Sequence, residues 1–171
     1  MSIENVLILG IGNLLFSDEG VGVQLVERLR RQLGEQVGLE CLDGGTLSFT
    51  LAEPIARADG LVVVDAARMQ AEPGEIGVFC GLEMDRYLSG NRQSVHEVSL
   101  GDLLDISRLS EQLPEQCCLV GIEPASMEWG ERLSPPVEAA VEPAIERILT
   151  ILSRWEFPVT GKGIRHTRGA D

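Results

Sequence analysis

The sequence predicts an α/β protein: a three-layer sandwich with a mostly parallel, five-stranded twisted sheet and helices on both faces. Two observations lead there. Short runs such as Val6-Leu7-Ile8-Leu9 and Leu61-Val62-Val63-Val64 are apolar at every position, as strands buried on both faces must be. Between them lie longer stretches whose apolar residues recur at helical spacing, so strands and helices alternate. The 171 residues suit one domain with a real core, and 44% apolar residues exclude a largely disordered chain. A single domain is expected over residues 1–153.

The elements follow in order. A first strand is expected at about residues 5–9. A helix over about 20–33 puts Val21, Leu25, Val26, Leu29 and Leu33 on one face; Asp18 or Ser17 would cap its start, and Gly34 marks its end. Residues 39–42 read as a second short strand, closed by Asp43-Gly44-Gly45. Residues 48–58 read as helix, with Pro54 in the first turns or at a kink. Residues 61–64 form the central strand, which ends in Asp65. Residues 75–80, entered through Pro73-Gly74, read as a fourth strand at or near an edge. A polar stretch, 83–95, contains Ser89-Gly90-Asn91. Ser99 opens a short helix, with Asp102 at capping-box spacing. Residues 117–122 form the fifth strand, running into Glu123-Pro124. The last helix starts after Ser134 with Pro135 in its first turn. Val137, Val141, Ile145, Ile148 and Leu152 mark its buried face, and Pro143 predicts a kink or two helical pieces.

Charge narrows the function classes. A net charge of −13 argues against nucleic acid, whose phosphates need a cationic surface. It fits an acidic, soluble surface and leaves attraction to a basic protein segment open. Residues 154–171 differ: Arg154, Lys162, Arg165 and Arg168 oppose Glu156 and Asp171, a net +2, so the other 153 residues carry −13 − 2 = −15. This Gly- and Arg-containing tail is expected to be partly mobile or a docking arm. The four cysteines, Cys41, Cys80, Cys117 and Cys118, form no C-x-x-C pair and are expected to be buried free thiols. Cys117 and Cys118, adjacent on a strand, point to opposite faces. No basic, then apolar leader opens the chain, and no apolar run approaches the roughly 20 residues of a membrane span. The expectation is a cytoplasmic protein with no membrane partner.

Acids mark the strand ends. The glycine-flanked segment Gly10-Ile-Gly-Asn-Leu-Leu-Phe-Ser-Asp-Glu-Gly-Val-Gly22 brings Glu19 to a strand-to-helix turn, where open α/β folds put their chemistry. Asp43, Asp65 and Glu123 end the second, third and fifth strands, and in a parallel sheet these ends share one edge. His96 precedes the Ser99 helix. Plain structural roles compete for each: Glu19 offsetting a helix dipole, Asp43 and Glu123 forming turns, His96 as a loop residue. Asp65 is harder to dismiss, because a carboxylate after a buried Val run needs donors or a cation. Two carboxylates and an imidazole suit a first-row transition metal.

The same residues carry a resemblance. Gly10-Ile-Gly-Asn13 with Asp18-Glu-Gly-Val-Gly22, Asp43-Gly-Gly-Thr46, Val63-Val-Asp-Ala66, Ser94-Val-His-Glu97, Gly121-Ile-Glu-Pro124 and Leu133-Ser-Pro-Pro-Val-Glu138 resemble, in order, the signature blocks of the nickel–iron hydrogenase maturation endopeptidases. The match runs over about residues 5–153. The resemblance implies a five-stranded sheet flanked by helices. It implies an enzyme that removes a short C-terminal extension from the hydrogenase large-subunit precursor once nickel is inserted. It implies that Glu19, Asp65 and His96 contact a nickel ion supplied by that precursor, and that the enzyme is a monomer; Asp43 and Glu123, read from their places at the strand ends, are candidates for supporting acids around that set. Whether the metal polarises the scissile carbonyl or activates water stays open, as does a carboxylate's part as base.

Rival readings fare less well. The Rossmann fingerprint fails at Leu15, where its third glycine would stand, and the acidic pair would repel a pyrophosphate. His96-Glu97 is not followed by a second histidine at H-E-x-x-H spacing, and no G-x-S-x-G occurs. A Cys–His nucleophile needs a thiol at the sheet edge. A non-catalytic, nickel-dependent chaperone for the same precursor is the remaining alternative.

Overall fold

Alternation along the strands sorts the core into two layers. In β1 (Val6–Ile11), Val6 and Ile8 join one buried cluster, while Leu7, Leu9 and Ile11 join the other. This is the period-2 rule applied to a strand covered on both sides. The computed structural model describes residues 2–90 and 99–160. After β1 come a 3₁₀ turn (Ser17–Gly20), α1 (Val21–Leu33), β2 (Leu39–Gly45), a second 3₁₀ turn (Phe49–Leu51), α2 (Ala52–Arg57) and β3 (Gly60–Ala66). Then follow β4 (Ile76–Cys80), α3 (Leu82–Gly90), α4 (Leu100–Leu109), β5 (Gln116–Ile122) and α5 (Pro135–Arg154). The strand order is β2-β1-β3-β5-β4, parallel except for β4, which runs antiparallel to β5.

The reversed edge strand has a simple cause. A parallel return needs a crossover of about a dozen residues or more, and only residues 67–75 separate β3 from β4. Helices α1 and α5 cover one face, through Leu25, Leu29, Val141, Ile145 and Ile148 among others. The residues Ile55 of α2, Met84 of α3 and Leu103 of α4 cover the opposite face. The predicted sandwich is therefore the observed one.

Several local expectations change. The described part of the stretch 83–95 is helical: it belongs to α3, which buries only Met84 fully and leans on an aromatic stack of Phe79 and Tyr87, centroids 4.6 Å apart, while 91–95 lie outside the described residues. With so little apolar periodicity, its helical character was hidden. Helix α5 is one element through Pro143, which lies on the solvent side, so the amide it lacks leaves no buried carbonyl behind. Asp18 and Ser17 do not cap α1; its N-cap is Gly20, with no side-chain hydrogen bond. Gly34 does end α1, at φ 65°.

The cysteines also differ from expectation. Cys41 and Cys117 are free, but Cys80 and Cys118 form a disulfide. The two are directly cross-strand neighbours in the antiparallel β4–β5 ladder. That pairing follows from the reversal of β4, which composition alone does not reveal. Cys117 faces the layer opposite Cys118, as alternation requires. Beyond Arg154 the chain still packs: Phe157 is buried and Thr160 donates its amide to Gln36 Oε1 at 2.9 Å. Residues 161–171 of the tail lie outside the described residues.

Candidate active site

Glycines bring the start of α1 onto the strand ends. Gly12 has φ 135°, and a Cβ there would stand 1.8 Å from the Glu19 carbonyl oxygen. A Cβ on Gly22 would stand 2.2 Å from the Val64 carbonyl oxygen and 2.5 Å from that of Ile11. Only hydrogen atoms fit in those gaps, so the Glu19–Gly22 backbone sits directly on the carboxyl ends of β1 and β3. These glycines serve close packing of backbone on backbone.

This packing sets Glu19, half-buried, near Asp65. Burial raises the Asp65 pKa well above the ordinary carboxylate value, and the Glu19 charge raises it further; a hydrogen bond from the Ala66 amide works the other way. The Tyr87 phenol is pushed up by burial and by the charges of Asp65 and Glu123. Asp65, Glu123 and Tyr87 therefore share one electrostatic neighbourhood on the α2–α3–α4 side of the sheet, and Glu19 reaches it from the β1–α1 turn.

The remaining acids do other work. Glu123 is 8% exposed, and its Oε2 accepts from the Met69 amide at 2.5 Å and the Ala71 amide at 3.5 Å. It thereby fixes the loop that leaves Asp65. Asp43 lies exposed on the same edge, with β1 between its strand and that of Asp65, and accepts from the Gly45 amide at 2.8 Å. That is the Asx turn expected of Asp before Gly-Gly. His96 falls outside the described residues. Three positions on, Ser99 caps α4 with the full capping box anticipated for it: Asp102 N–H to Ser99 Oγ 3.1 Å, Ser99 N–H to Asp102 Oδ2 2.9 Å. Among the described residues, no three His, Cys, Asp or Glu side chains form a group that could hold a metal.

Asp18 is the residue that sequence reasoning undervalued. It is 0% exposed, and its carboxylate accepts four hydrogen bonds: from the Ala125 and Ser126 amides (both 2.9 Å), the Ser134 amide (2.7 Å) and the Ser134 hydroxyl (2.8 Å). Burial alone would push its pKa up, but these donors outweigh that and hold it below the ordinary value. Its partners lie more than a hundred residues away, so no local pattern announces them.

Chemically, the arrangement offers two carboxylates at a sheet edge, and burial works against the charged form of one of them, Asp65. It offers no ready thiolate. Burial pushes the Cys41 thiol up to about 11 and the Cys117 thiol up to about 12, and the other two cysteines are bonded to each other.

Comparison with known proteins points in one direction. The family model for hydrogenase maturation proteases (HycI) matches residues 23–151. The hydrogenase 2 maturation protease of Escherichia coli K12 is 36% identical over 148 residues, covering 86% of this chain and 90% of that protein. The hydrogenase expression/formation protein HupM of Azotobacter chroococcum is 38% identical, covering 89% of this chain and 73% of its own. Among solved structures, the E. coli hydrogenase maturating endopeptidase HybD superposes with a TM-score of 0.81 at 35% identity, covering 88% of this chain and 93% of that one.

Proposed function

The chain belongs to the hydrogenase maturation protease family, and from that premise we propose that it removes the C-terminal extension of a nickel–iron hydrogenase large-subunit precursor after nickel insertion. In this reading Glu19, Asp65 and His96 contact the nickel carried by the precursor. One observation supports the reading above the others: Asp65 sits desolvated at the end of β3 with the Glu19 charge beside it. Two carboxylates held that way repel each other until a cation lies between them. The imidazole of His96 would complete a set suited to nickel.

Nickel arrives with the substrate, so it is cargo to be read. A cation so placed polarises a nearby carbonyl or activates water. The chain's own contribution is to hold the two carboxylates in register and to offer one of them as a proton acceptor. Among the described residues no helix is long and apolar enough to cross a membrane.

Mass spectrometry of the nickel-loaded precursor after incubation with the protein tests the reaction. Loss of a defined C-terminal peptide is the expected result. A precursor of unchanged mass that nevertheless co-purifies with the protein would favour the chaperone alternative.

A further inference from the structure

The Glu19 turn has local bonds, such as the Glu19 amide to the Phe16 carbonyl at 3.1 Å, but it is also fastened to the β5–α5 connection. Besides the four hydrogen bonds into the Asp18 carboxylate, the Ser17 amide donates to the Gly130 carbonyl at 2.6 Å and the Gly130 amide to the Leu15 carbonyl at 2.8 Å. The Asp18 amide donates to the Ser126 carbonyl at 3.1 Å, and the Ser17 hydroxyl to the Arg132 carbonyl at 2.8 Å. Phe16 meets Trp129 edge-on, ring centroids 5.6 Å apart. At the centre sits a charge excluded from water and satisfied only by neutral donors. Such an arrangement is costly unless every donor is aimed at it.

Successive side chains on a 3₁₀ turn diverge by about 120°, since three residues complete a turn. Asp18 and Glu19 are successive on the turn Ser17–Gly20. Locking the Asp18 carboxylate inward against 125–134 therefore sets the direction in which Glu19 leaves the backbone. We propose that Asp18 is a positioning residue for the reaction: its clamp on the β5–α5 connection aims Glu19 at the Asp65 edge. This rests on the reading that Glu19 meets the precursor's metal.

Asp18→Asn keeps the shape but swaps one acceptor oxygen for a donor. With its remaining oxygen facing Ala125, Ser126 and the Ser134 hydroxyl, its amide group faces the Ser134 N–H. Ser134→Ala is the milder partner, removing one donor and leaving the Ser134 amide. Single-turnover and steady-state cleavage of nickel-loaded precursor would be measured for both at a temperature where each is folded. Glu19→Gln and Ile148→Val, a change remote in the α1–α5 layer that costs stability only, serve as comparisons. A misplacement of about 1 Å at a reacting group can cost on the order of 100-fold, so Asp18→Asn should lose roughly 10- to 100-fold in kcat with KM within about twofold. Ser134→Ala should show a smaller loss of the same kind, and Ile148→Val none. If Asp18→Asn and Ser134→Ala lose melting temperature but keep wild-type kcat while Glu19→Gln is inactive, Asp18 is a structural anchor only and the proposal fails. If Glu19→Gln cleaves normally, the metal-reading role of Glu19 fails first, and the positioning role with it.

Discussion

At Asp65 the chain keeps a carboxylate where burial and the Glu19 charge both oppose its ionisation. A group selected for stability alone would not be placed there. Asp65→Asn should therefore abolish cleavage while leaving the melting temperature unchanged or higher, as thermal unfolding beside an activity assay would show. Asp18 is the opposite case, a buried carboxylate whose donors more than offset its desolvation. The thiols give the pH dependence. Cys41 and Cys117 ionise near 9 when unfolded but only at about 11 and about 12 in the fold. Above pH 9 the unfolded chain binds fewer protons than the folded one, so stability falls as pH rises. A Cys41→Ala/Cys117→Ala variant should lose less melting temperature than wild type between about pH 8 and pH 10.5. Of these residues, Asp65 was legible from sequence because its strand is. The role of Asp18 was not, because Ala125, Ser126 and Ser134 reach it only once β5 lies two strands from β1.

At the scale of elements, the segment from Gly10 to Gly22 works as a spacer-free joint between β1, β3 and α1. Gly12→Ala would force a side chain into the Glu19 carbonyl from a backbone at φ 135°. Overpacking of that kind costs about 3 kcal/mol, which for a chain of this size lowers the melting temperature by roughly 6–12 °C. Cleavage should fall with it, and a variant of wild-type stability would show that the joint is looser than drawn. The antiparallel β4–β5 edge is closed by Cys80–Cys118 across 38 residues of sequence. Closing such a loop stabilises by about 4 kcal/mol in the chain-entropy description. Alkylation of unfolded protein should tag two thiols without reductant and four with it; four tags in both cases would remove the crosslink from the account. Strand positions were readable from apolar runs, and so were α1 and α5 from periodicity and α4 from its capping box. Helix α3 was not, because its contribution to the core reduces to Met84 and a ring stack on Phe79. The direction of β4 was not read either, since it depends on the length of a loop and on its partner.

For the molecule as a whole, the sheet order places the candidate site. With β1 and β3 adjacent and both ending at one edge, the turn after β1 and the last residues of β3 must meet. The meeting is between acids on a chain of net charge −13, so the expected occupant is a cation or a basic segment carrying one. The edge and the acids on it were legible in the sequence; packing distinguishes them, with Glu19 beside Asp65, Glu123 holding the loop after β3, and Asp43 in its own turn. On the proposed function, this edge reads nickel in the precursor before the chain is cut. The most direct test is to incubate nickel-loaded and nickel-free large-subunit precursor with wild type and with Glu19→Gln, Asp65→Asn and His96→Ala, and to follow release of the C-terminal peptide. Cleavage is expected only for wild type acting on the nickel-loaded precursor. Equal cleavage of the nickel-free precursor, or full activity in all three variants, would contradict it.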